Sequence, residues 1–259
     1  MTSNHQEKEL LIIIPAYNER GSIAKLIGQL RSPEITEIAD ILVMNDASTD
    51  GTGRAIDKNS VAVVTHVFNL GYGSGLQLGY KYAIRRGYKY VIQMDADGQH
   101  DPSNVLRIYE RLKTADANGK CPDIVLGSRF VEGSSPYKMS WIRRWAIGMF
   151  GNLIHLVTGK KINDPTSGLQ GLSRRAILYY SRYNGFDDRY PDANMVMQMI
   201  LLGYRVEETP AVMHQRQMGV GMHHGLKTAL YMFRMVLSIL AVLIRVKLLK
   251  LEAVVTDDV

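Results

Sequence analysis

The sequence has very little cysteine and no long uninterrupted hydrophobic run. One cysteine, Cys121, occurs among 259 residues, which excludes an internal disulfide framework and fits a reducing compartment. The first ten residues, MTSNHQEKEL, contain no apolar core, so we do not expect a signal peptide there. The most apolar C-terminal stretch, residues 235–244, is too short to cross a bilayer, which takes about 20 residues.

The overall composition is that of a soluble globular protein. Hydrophobic residues make up 46% and charged residues 22% of the chain, and the length is sufficient for one large α/β domain. The net charge is +6 and the isoelectric point is about 9.3. This positive charge predicts an anionic partner: nucleic acid, the phosphates of a nucleotide, or an acidic membrane surface.

Apolar segments that resemble buried strands alternate with amphipathic segments that resemble helices. We predict helices at about residues 22–30 and 102–114, and five strands: LLIIIPA, DILVMNDAS, VAVVTHV, YVIQMDA and DIVLGSR. The alternation predicts an α/β fold with a mostly parallel sheet flanked by helices.

Four of these strands end in polar residues. In parallel sheets the ligand binds beyond the carboxyl ends of the strands, so we expect these side chains to line one crevice. They are Tyr17, Asn18 and Glu19; Asn45 and Asp46; Asp95 and Asp97; and Ser128 and Arg129.

The segment VIQMDADGQHDP predicts a metal site. Asp95 and Asp97 are two residues apart at the end of a strand, and Gln99 follows two residues later. Such oxygen ligands suit a hard divalent cation, which commonly bridges protein carboxylates to substrate phosphates. The alternative is an ordinary surface turn rich in Asp and Gly.

A glycine-rich segment, NLGYGSGLQLG at residues 69–79, invites comparison with a dinucleotide-binding loop. The spacing fails, because Leu76 and Leu78 occupy the positions where the third glycine is required. We therefore do not expect a nicotinamide-dependent oxidoreductase. The glycines are instead predicted to form a loop that packs closely beside a nucleotide.

Several motifs occur together in a familiar order: IIPAYNE, VMNDASTDGT, NLGYGSGLQLG, MDADGQHDP, GSRF, DPTSGLQGLSRRA and GYRVEETPA followed by QRQMG. From about residue 10 to residue 224 the chain resembles family 2 inverting glycosyltransferases of the GT-A fold. Within that family it looks most like the polyprenyl- and dolichol-phosphate sugar transferases. The resemblance implies metal-dependent transfer of a sugar from a UDP- or GDP-sugar to a polyprenyl phosphate.

The resemblance also implies roles for individual residues. Those expected to bind the donor nucleotide are Pro15, Tyr17, Glu19, Met44, Asp46, Asp95, Ala96 and Arg216. Those expected around the cation, Mg²⁺ or Mn²⁺, are Asp95, Asp97 and Gln99. Asp46 would bond to the base, and Arg129 and Arg216 would neutralise phosphates. Asp46 could instead cap the helix near STDG, and Arg216 could be a solvated arginine.

Acceptor binding is expected at Arg143, Arg144, Ser167 and Gly168, although Gly168 could serve only backbone geometry. Family members usually carry an acid at the position of Asn194, whereas here the nearest acid is Asp192. A phosphate acceptor is already ionised and needs no general base. The residues that we predict to be catalytic are Asp97, Arg129 and Asp192.

Two other functions remain open. A glycosyltransferase with a hydroxyl acceptor would use a base near Asp192. A non-catalytic nucleotide-sugar or nucleic-acid binder would use the positive charge, but the basic residues do not alternate with aromatic ones as in single-strand binding surfaces. We therefore do not expect a nucleic-acid partner.

Residues 225–250 are predicted to form one long helix. Its polar residues form a narrow stripe: Lys227, Tyr231, Arg234, Ser238, Ala241 and Arg245. We expect the broad apolar face to lie on an anionic membrane with the basic side chains reaching the head groups.

The predicted helix divides the chain into a catalytic domain, 1–224, and an amphipathic helix and tail, 225–259. We expect a peripheral protein on the cytoplasmic membrane face, and a small integral membrane protein could share the tethering. Burial of the helix against the domain or in an oligomer is the alternative.

Overall fold

The computed structural model describes residues 8–56, 61–215 and 226–250, with the backbone only for residues 226–231. Seven strands within these residues form one sheet in the order β3-β2-β1-β4-β6-β5-β7. The strands are β1 (Leu10–Ala16), β2 (Ala39–Asn45), β3 (Ala62–Thr65), β4 (Tyr90–Gln93), β5 (Ile124–Ser128), β6 (Gln170–Ser173) and β7 (Val206–Pro210). Strand β6 runs antiparallel to its neighbours β4 and β5, and all other pairings are parallel.

Helices cover both faces of this sheet. They are α1 (Ile23–Leu30), α2 (Pro33–Thr36), α3 (Thr52–Ala55), α4 (Tyr72–Arg85), α5 (Asn104–Lys113), α6 (Trp141–Thr158), α7 (Arg174–Tyr180), α8 (Ala193–Leu201) and α9 (Leu226–Leu243). A π-helical turn, Ile244–Leu248, continues α9. None of these described helices is long and apolar enough to cross a membrane.

The central strand β1 divides the core into two layers. Its side chains alternate, so that Leu11 and Ile13 join the layer under α4 and α6–α9. Leu10, Ile12 and Ile14 join the layer under α1 and α5. Each of these five side chains is at most 1% exposed. This explains the continuous apolar run, because a strand covered on both faces has no polar side.

The α/β fold and the mostly parallel sheet are confirmed, as are the five predicted strands and both predicted helices. Strands β6 and β7 were not predicted. The predicted loop at residues 69–79 is wrong, because helix α4 begins at Tyr72. Its glycines permit helix packing: a Cβ on Gly73 would lie 2.1 Å from the Asp187 carbonyl oxygen, and one on Gly79 would lie 2.9 Å from Ile13.

Helix α9 packs on the domain with one face and exposes another. Met235, Ile239 and Val242 are at most 4% exposed. The opposite face is apolar and open, with exposed fractions of 60% at Phe233, 49% at Leu237, 49% at Leu240 and 50% at Ile244. The predicted boundary at residues 224 and 225 lies outside the described residues.

The polar stripe of α9 contacts the domain through Arg234, Ser238 and Arg245. Three hydrogen bonds join it to the preceding loop: Arg234 to the Tyr190 hydroxyl (3.4 Å), Asn194 to the Ser238 hydroxyl (2.8 Å) and Arg245 to the Asn184 carbonyl (2.9 Å). Arg234 and Arg245 each donate one hydrogen bond to the domain and keep further N–H donors, so their contact with membrane head groups stays a prediction.

Candidate active site

The carboxyl ends of β1, β2 and β4 lie side by side, as predicted. The register pairs Ala16 with Asn45, and Ile13 with Gln93, so the segments after these strands leave the sheet at one edge. The Asp46 backbone N–H continues the pairing by donating to the Ala16 carbonyl at 2.9 Å. This edge forms the crevice in which the site is built.

The Asp-Ala-Asp turn lies at the centre of the crevice. The Asp97 carboxylate accepts the Gln99 backbone N–H at 3.0 Å, and Gly98 has a φ of +74°, which favours glycine. Gln99 donates through Nε2 to the Tyr137 hydroxyl at 2.5 Å. Asp95 accepts a hydrogen bond from the Tyr72 hydroxyl at 2.9 Å. The turn therefore holds two half-buried carboxylates in fixed positions.

Tyr72 is the residue that sequence reasoning missed here. Desolvation and then the negative charge of Asp95 raise the pKa of its hydroxyl well above the ordinary value, and Asp192 contributes in the same direction. Tyr72 therefore stays protonated and acts as a donor to Asp95. The contribution from Asp192 also shows that this acid lies within electrostatic reach of the turn.

Gly168 and Ser167 take different roles. A Cβ on Gly168 would lie 2.6 Å from Oδ2 of Asp95, so glycine is needed for this carboxylate to occupy its place. Ser167 is 3% exposed, and its hydroxyl donates to the Gly127 carbonyl at 2.6 Å. This buried hydroxyl supports the backbone, so the expectation that Ser167 contacts an acceptor is not supported by its position.

Asp46 is buried at the end of β2, and both oxygens of its carboxylate have hydrogen-bond partners. Its carboxylate accepts from the backbone N–H groups of Leu70 (2.8 Å) and Gly71 (2.9 Å), and it lies 2.7 Å from His66 Nδ1. The helix-cap alternative is wrong, because Gly51 is the N-cap of α3. Asp46 instead fixes the chain that leads into α4. His66 was missed by sequence reasoning, and its Nε2 is buried without a hydrogen-bond partner among the residues that the structure describes.

The segment after β1 presents an open aromatic residue. Tyr17 is 49% exposed, which leaves its ring available to a planar ligand. Pro15 is half-buried within β1. Glu19 is also half-buried, and its backbone N–H donates a hydrogen bond to the Thr52 hydroxyl at 2.8 Å. These positions agree with a pocket between β1 and β2.

Met44 and Ala96 do not present side chains to that pocket. They are 1% and 2% exposed, and the Met44 side chain lies against α4 near Gly75. The expectation that Met44 lies beside the base is therefore wrong for its side chain, which belongs to the core. Ala96 lies between the two aspartates as a small buried residue.

Arg129 is engaged inside the protein. Its Nε lies 2.7 Å and its Nη2 2.6 Å from the two oxygens of Asp164, and this pair is almost fully buried, with side-chain exposures of 6% and 0%. Burial opposes the charge, but the hydrogen bonds to Asp164 outweigh it and raise the pKa of Arg129. Its predicted role as a free neutraliser of phosphates does not hold here, because Asp164 already balances its charge. Sequence reasoning missed this partner, 35 residues away.

Asp192 and Asn194 lie at the start of α8. Asp192 is half-buried at the N-cap, and its backbone N–H donates to Asn194 Oδ1 at 2.8 Å. The Asn194 amide donates to Asp187 at 2.9 Å and to Ser238 at 2.8 Å. Asn194 therefore joins the loop before α8 to helix α9, and the charge of Asp192 acts on Tyr72 and Arg129.

The other predicted basic residues lie apart from this centre. Arg143 and Arg144 are exposed on the first turn of α6, and Arg144 lies over the Phe130 ring at 5.6 Å. Arg216 lies outside the described residues. No group of three His, Cys, Asp or Glu side chains suited to a metal ion occurs within residues 8–56, 61–215 and 226–250. A cation here would therefore take part of its coordination from water or substrate.

Curated relatives share most of their length with this chain. The undecaprenyl-phosphate mannosyltransferase of Micrococcus luteus is 33% identical over 225 residues, covering 81% of this chain and 85% of that protein. The polyprenol monophosphomannose synthase of Mycolicibacterium smegmatis is 30% identical over 235 residues, covering 86% and 84%.

The same architecture is found in a solved structure. Glucosyl-3-phosphoglycerate synthase from Mycobacterium tuberculosis, in complex with Mn²⁺, UDP and phosphoglyceric acid, has a TM-score of 0.65 over 92% of this chain and 78% of that chain. At 16% identity, this likeness shows a shared GT-A-type fold. The model of glycosyl transferase family 2 matches residues 11–180, and the chain is a glycosyltransferase that belongs to this family.

Proposed function

We propose that this enzyme transfers a sugar from a nucleotide-sugar to a polyprenyl phosphate, with inversion at the anomeric carbon, on the cytoplasmic face of a membrane. Both curated relatives described above carry names of enzymes that act on polyprenyl phosphate or polyprenol. They match more than four-fifths of this chain at 30% identity or more, which supports the same class of acceptor.

The observation that carries this proposal is the amide at position 194. Asn194 cannot take a proton from a hydroxyl group, and its amide is used in three hydrogen bonds to Asp187, Asp192 and Ser238. A sugar hydroxyl needs such a base to become a good nucleophile, whereas a phosphate monoester is ionised at neutral pH. A phosphate acceptor therefore fits the residue that this chain carries.

A divalent cation, Mg²⁺ or Mn²⁺, fits the Asp-Ala-Asp turn. The donor set contains only oxygens, from Asp95, Asp97 and Gln99, and the absence of a Cβ on Gly168 leaves room for the Asp95 carboxylate. When bound there, the cation would supply Lewis-acid stabilisation of the departing nucleoside diphosphate. The solved relative in complex with Mn²⁺ and UDP supports this assignment.

The remaining residues would hold the donor in place. Tyr17 would stack against the base, and the buried Asp46–His66 pair would form the wall beside it. Tyr72 would keep Asp95 oriented through its hydrogen bond of 2.9 Å. The Arg129–Asp164 pair would stiffen the opposite wall. Preorganised groups of this kind stabilise charge without rearranging during the reaction.

A second candidate function is transfer to a sugar hydroxyl. It is favoured by Asp192, whose charge reaches both Tyr72 and Arg129. In that case Asp192 would be the general base. Changing Asp192 to Asn would then abolish transfer at every pH, whereas an ionised phosphate acceptor would retain most of its reactivity.

The experiment that tests the proposal is an assay of the full chain with a panel of UDP- and GDP-sugars. The acceptor would be a polyprenyl phosphate in neutral detergent, and transfer would be scored as labelled sugar in the organic phase. A sugar–phosphate–lipid product sensitive to mild acid supports the proposal. Transfer only to soluble glycans, with no lipid product for any donor, would overturn it in favour of the second candidate.

Attachment to the membrane forms part of the same proposal. The open apolar face of α9 would enter the interface, and residues 225–259 would act as the attachment segment after a catalytic domain of 1–224. A small integral membrane protein is the alternative partner for this face.

A further inference from the structure

A cavity of about 250 Å³ lies between helix α9 and the loop that precedes α8. None of its lining residues belongs to the Asp-Ala-Asp turn, and five of the six have polar or charged groups. The lining residues are Asp187, Arg189, Tyr190, Arg234, Met235 and Ser238.

Four hydrogen bonds to Asp187 form the floor of this cavity. The Asp187 carboxylate accepts the backbone N–H groups of Arg189 and Tyr190, both at 2.9 Å. It also accepts the Asn194 amide at 2.9 Å and the Ser238 hydroxyl at 3.4 Å. These bonds hold the loop that carries Arg189 against the helix that carries Arg234, so the cavity does not need to be assembled by a ligand.

The cavity has an excess of positive charge. Two arginines face one carboxylate, and neither Arg189 nor Arg234 forms an ion pair with another residue in the part of the chain that the structure describes. Arg234 makes a 3.4 Å hydrogen bond to the Tyr190 hydroxyl and lies 5.9 Å from the centre of its ring. Exposed guanidinium groups with unused donors are suited to the oxygens of a phosphate.

An apolar stripe begins beside Arg234. Phe233, Leu237, Leu240 and Ile244 are separated by three or four residues, so they lie along one line of α9 and its continuation, and each is at least 49% exposed. At 1.5 Å per residue this stripe is about 16 Å long. A phosphate site at the end of an apolar stripe has the chemistry of a lipid phosphate: an anionic head attached to a hydrocarbon chain.

The loop also connects this cavity to the catalytic crevice. Asp192 follows Tyr190 by two residues, and its charge contributes to the raised pKa of Tyr72, which donates to Asp95. The loop that carries Arg189 therefore also carries an acid that interacts with Tyr72, the donor to Asp95.

We propose that this cavity is a docking subsite for the polyprenyl phosphate acceptor, with Arg189 and Arg234 on the phosphate and the α9 stripe along the hydrocarbon. The inference rests on the proposed function and extends it, because it assigns acceptor entry to the loop and α9 rather than to Arg143 and Arg144. The phosphate that we assign to this cavity is that of the reactive lipid, and not the head group of a membrane phospholipid.

The test compares the wild type with Arg189→Gln, Arg234→Gln and the double variant, using the full chain. Arg85→Gln is the matched control, because Arg85 is exposed at the far end of α4, away from the carboxyl edge of the sheet. The measured quantities are the KM for polyprenyl phosphate in neutral detergent, kcat, and the Kd for the donor nucleotide.

We expect each single variant to raise the KM for the lipid about tenfold, the loss typical of a charge-assisted hydrogen bond, and the double variant to raise it further. The kcat at saturation and the donor Kd should stay at wild-type values. A KM for the double variant equal to that of the Arg85→Gln control would overturn the proposal.

Two further arms identify the ligand. Leu237→Ser should weaken binding of a long-chain polyprenyl phosphate while leaving inorganic phosphate binding unchanged, since only the former uses the stripe. If the arginine variants lose binding to vesicles of anionic phospholipid but keep the wild-type KM in neutral detergent, the cavity holds bulk head groups and the acceptor assignment is wrong.

Failure of the proposed function can be separated from failure of the subsite. If the wild type transfers sugar to no lipid phosphate, the proposed function fails. Calorimetry with a soluble short-chain prenyl phosphate still decides the subsite, because the wild type should bind it and the double variant should not. Equal binding by both proteins would overturn the subsite.

Discussion

Gly168 and Asp95 lie so close together that a methyl group on Gly168 would come within 2.6 Å of the Asp95 carboxylate. The contact joins two segments that are far apart in sequence: the turn after β4 and the segment that leads into β6. The position of the Asp95 carboxylate therefore depends on the absence of a side chain at Gly168.

Changing Gly168 to Ala should displace Asp95, which we propose to hold the donor and its cation, and a misplacement of about 1 Å should lower the transfer rate by about a hundredfold. The melting temperature should change little, because the clash is with a side chain and not with backbone. Gly28→Ala is the control, since nothing lies within 4 Å of its added Cβ. Wild-type turnover by Gly168→Ala would mean that the position of Asp95 is unimportant.

Removal of the cation should abolish activity. We expect no turnover in excess chelator and recovery on addition of Mg²⁺ or Mn²⁺, because the departing diphosphate would otherwise lack its main counter-charge. Asp97→Asn keeps the shape of the side chain but removes a negative ligand, so it should be inactive with an unchanged circular dichroism spectrum. Full activity with chelator present would refute the metal assignment.

Changing Asp46 to Asn should affect both folding and donor binding. The N–H groups of Leu70 and Gly71 donate to different oxygens of Asp46, so in the variant one of them would face an NH2 group and lose its acceptor. The charge beside His66 is lost as well, so unfolding should become easier by about 1–3 kcal/mol. Donor affinity should fall about tenfold, measured by calorimetry. If stability falls while the Kd for the nucleotide is unchanged, Asp46 only supports the start of α4.

The full chain should float with anionic liposomes. Basic residues near the surface add about 1 kcal/mol each, so binding should weaken with salt, but the apolar contribution should persist. Leu240→Gln combined with Ile244→Gln should release the protein, whereas Val67→Gln, an 84% exposed residue elsewhere, should not. A wild-type chain that stays unbound with every lipid would indicate that a protein partner covers α9.

The sequence predicted the central strands well because their signal is local. Strands β1, β2, β4 and β5 are continuous apolar runs that end in polar residues, and the order of those residues along the chain was enough to predict one crevice. Strand β6 was missed because its segment, Gln170–Ser173, contains glycine and polar residues and is too short to show the apolar pattern of a strand. It is a strand because β4 and β5 pair with it on both sides.

The errors in the site have a common physical cause. The resemblance implied that Arg129 meets phosphates, and the sequence does not reveal its partner Asp164, 35 residues away. It also implied that Met44 lies beside the base near Asp46, but the Met44 side chain is buried in the core. The glycines of α4 looked like a loop because glycine disfavours helices by about 1 kcal/mol relative to alanine. The close approach of the Asp187 carbonyl to Gly73 overrides that preference, and no local pattern reveals such a contact.

The hydrogen bond from Asn194 to Ser238 makes the last helix and the loop of Asp192 one mechanical unit. Movement of α9 away from the domain would break the bond between Ser238 and the Asn194 amide, whose oxygen accepts the Asp192 backbone N–H. Thermodynamic linkage is reciprocal, so if docking of α9 changes the affinity of the loop for substrate, substrate must change the affinity of α9 for its docking surface by the same factor. The time that α9 stays docked on the domain would then depend on whether substrate is bound. A molecule that contacts α9 would therefore respond to occupancy of the active site.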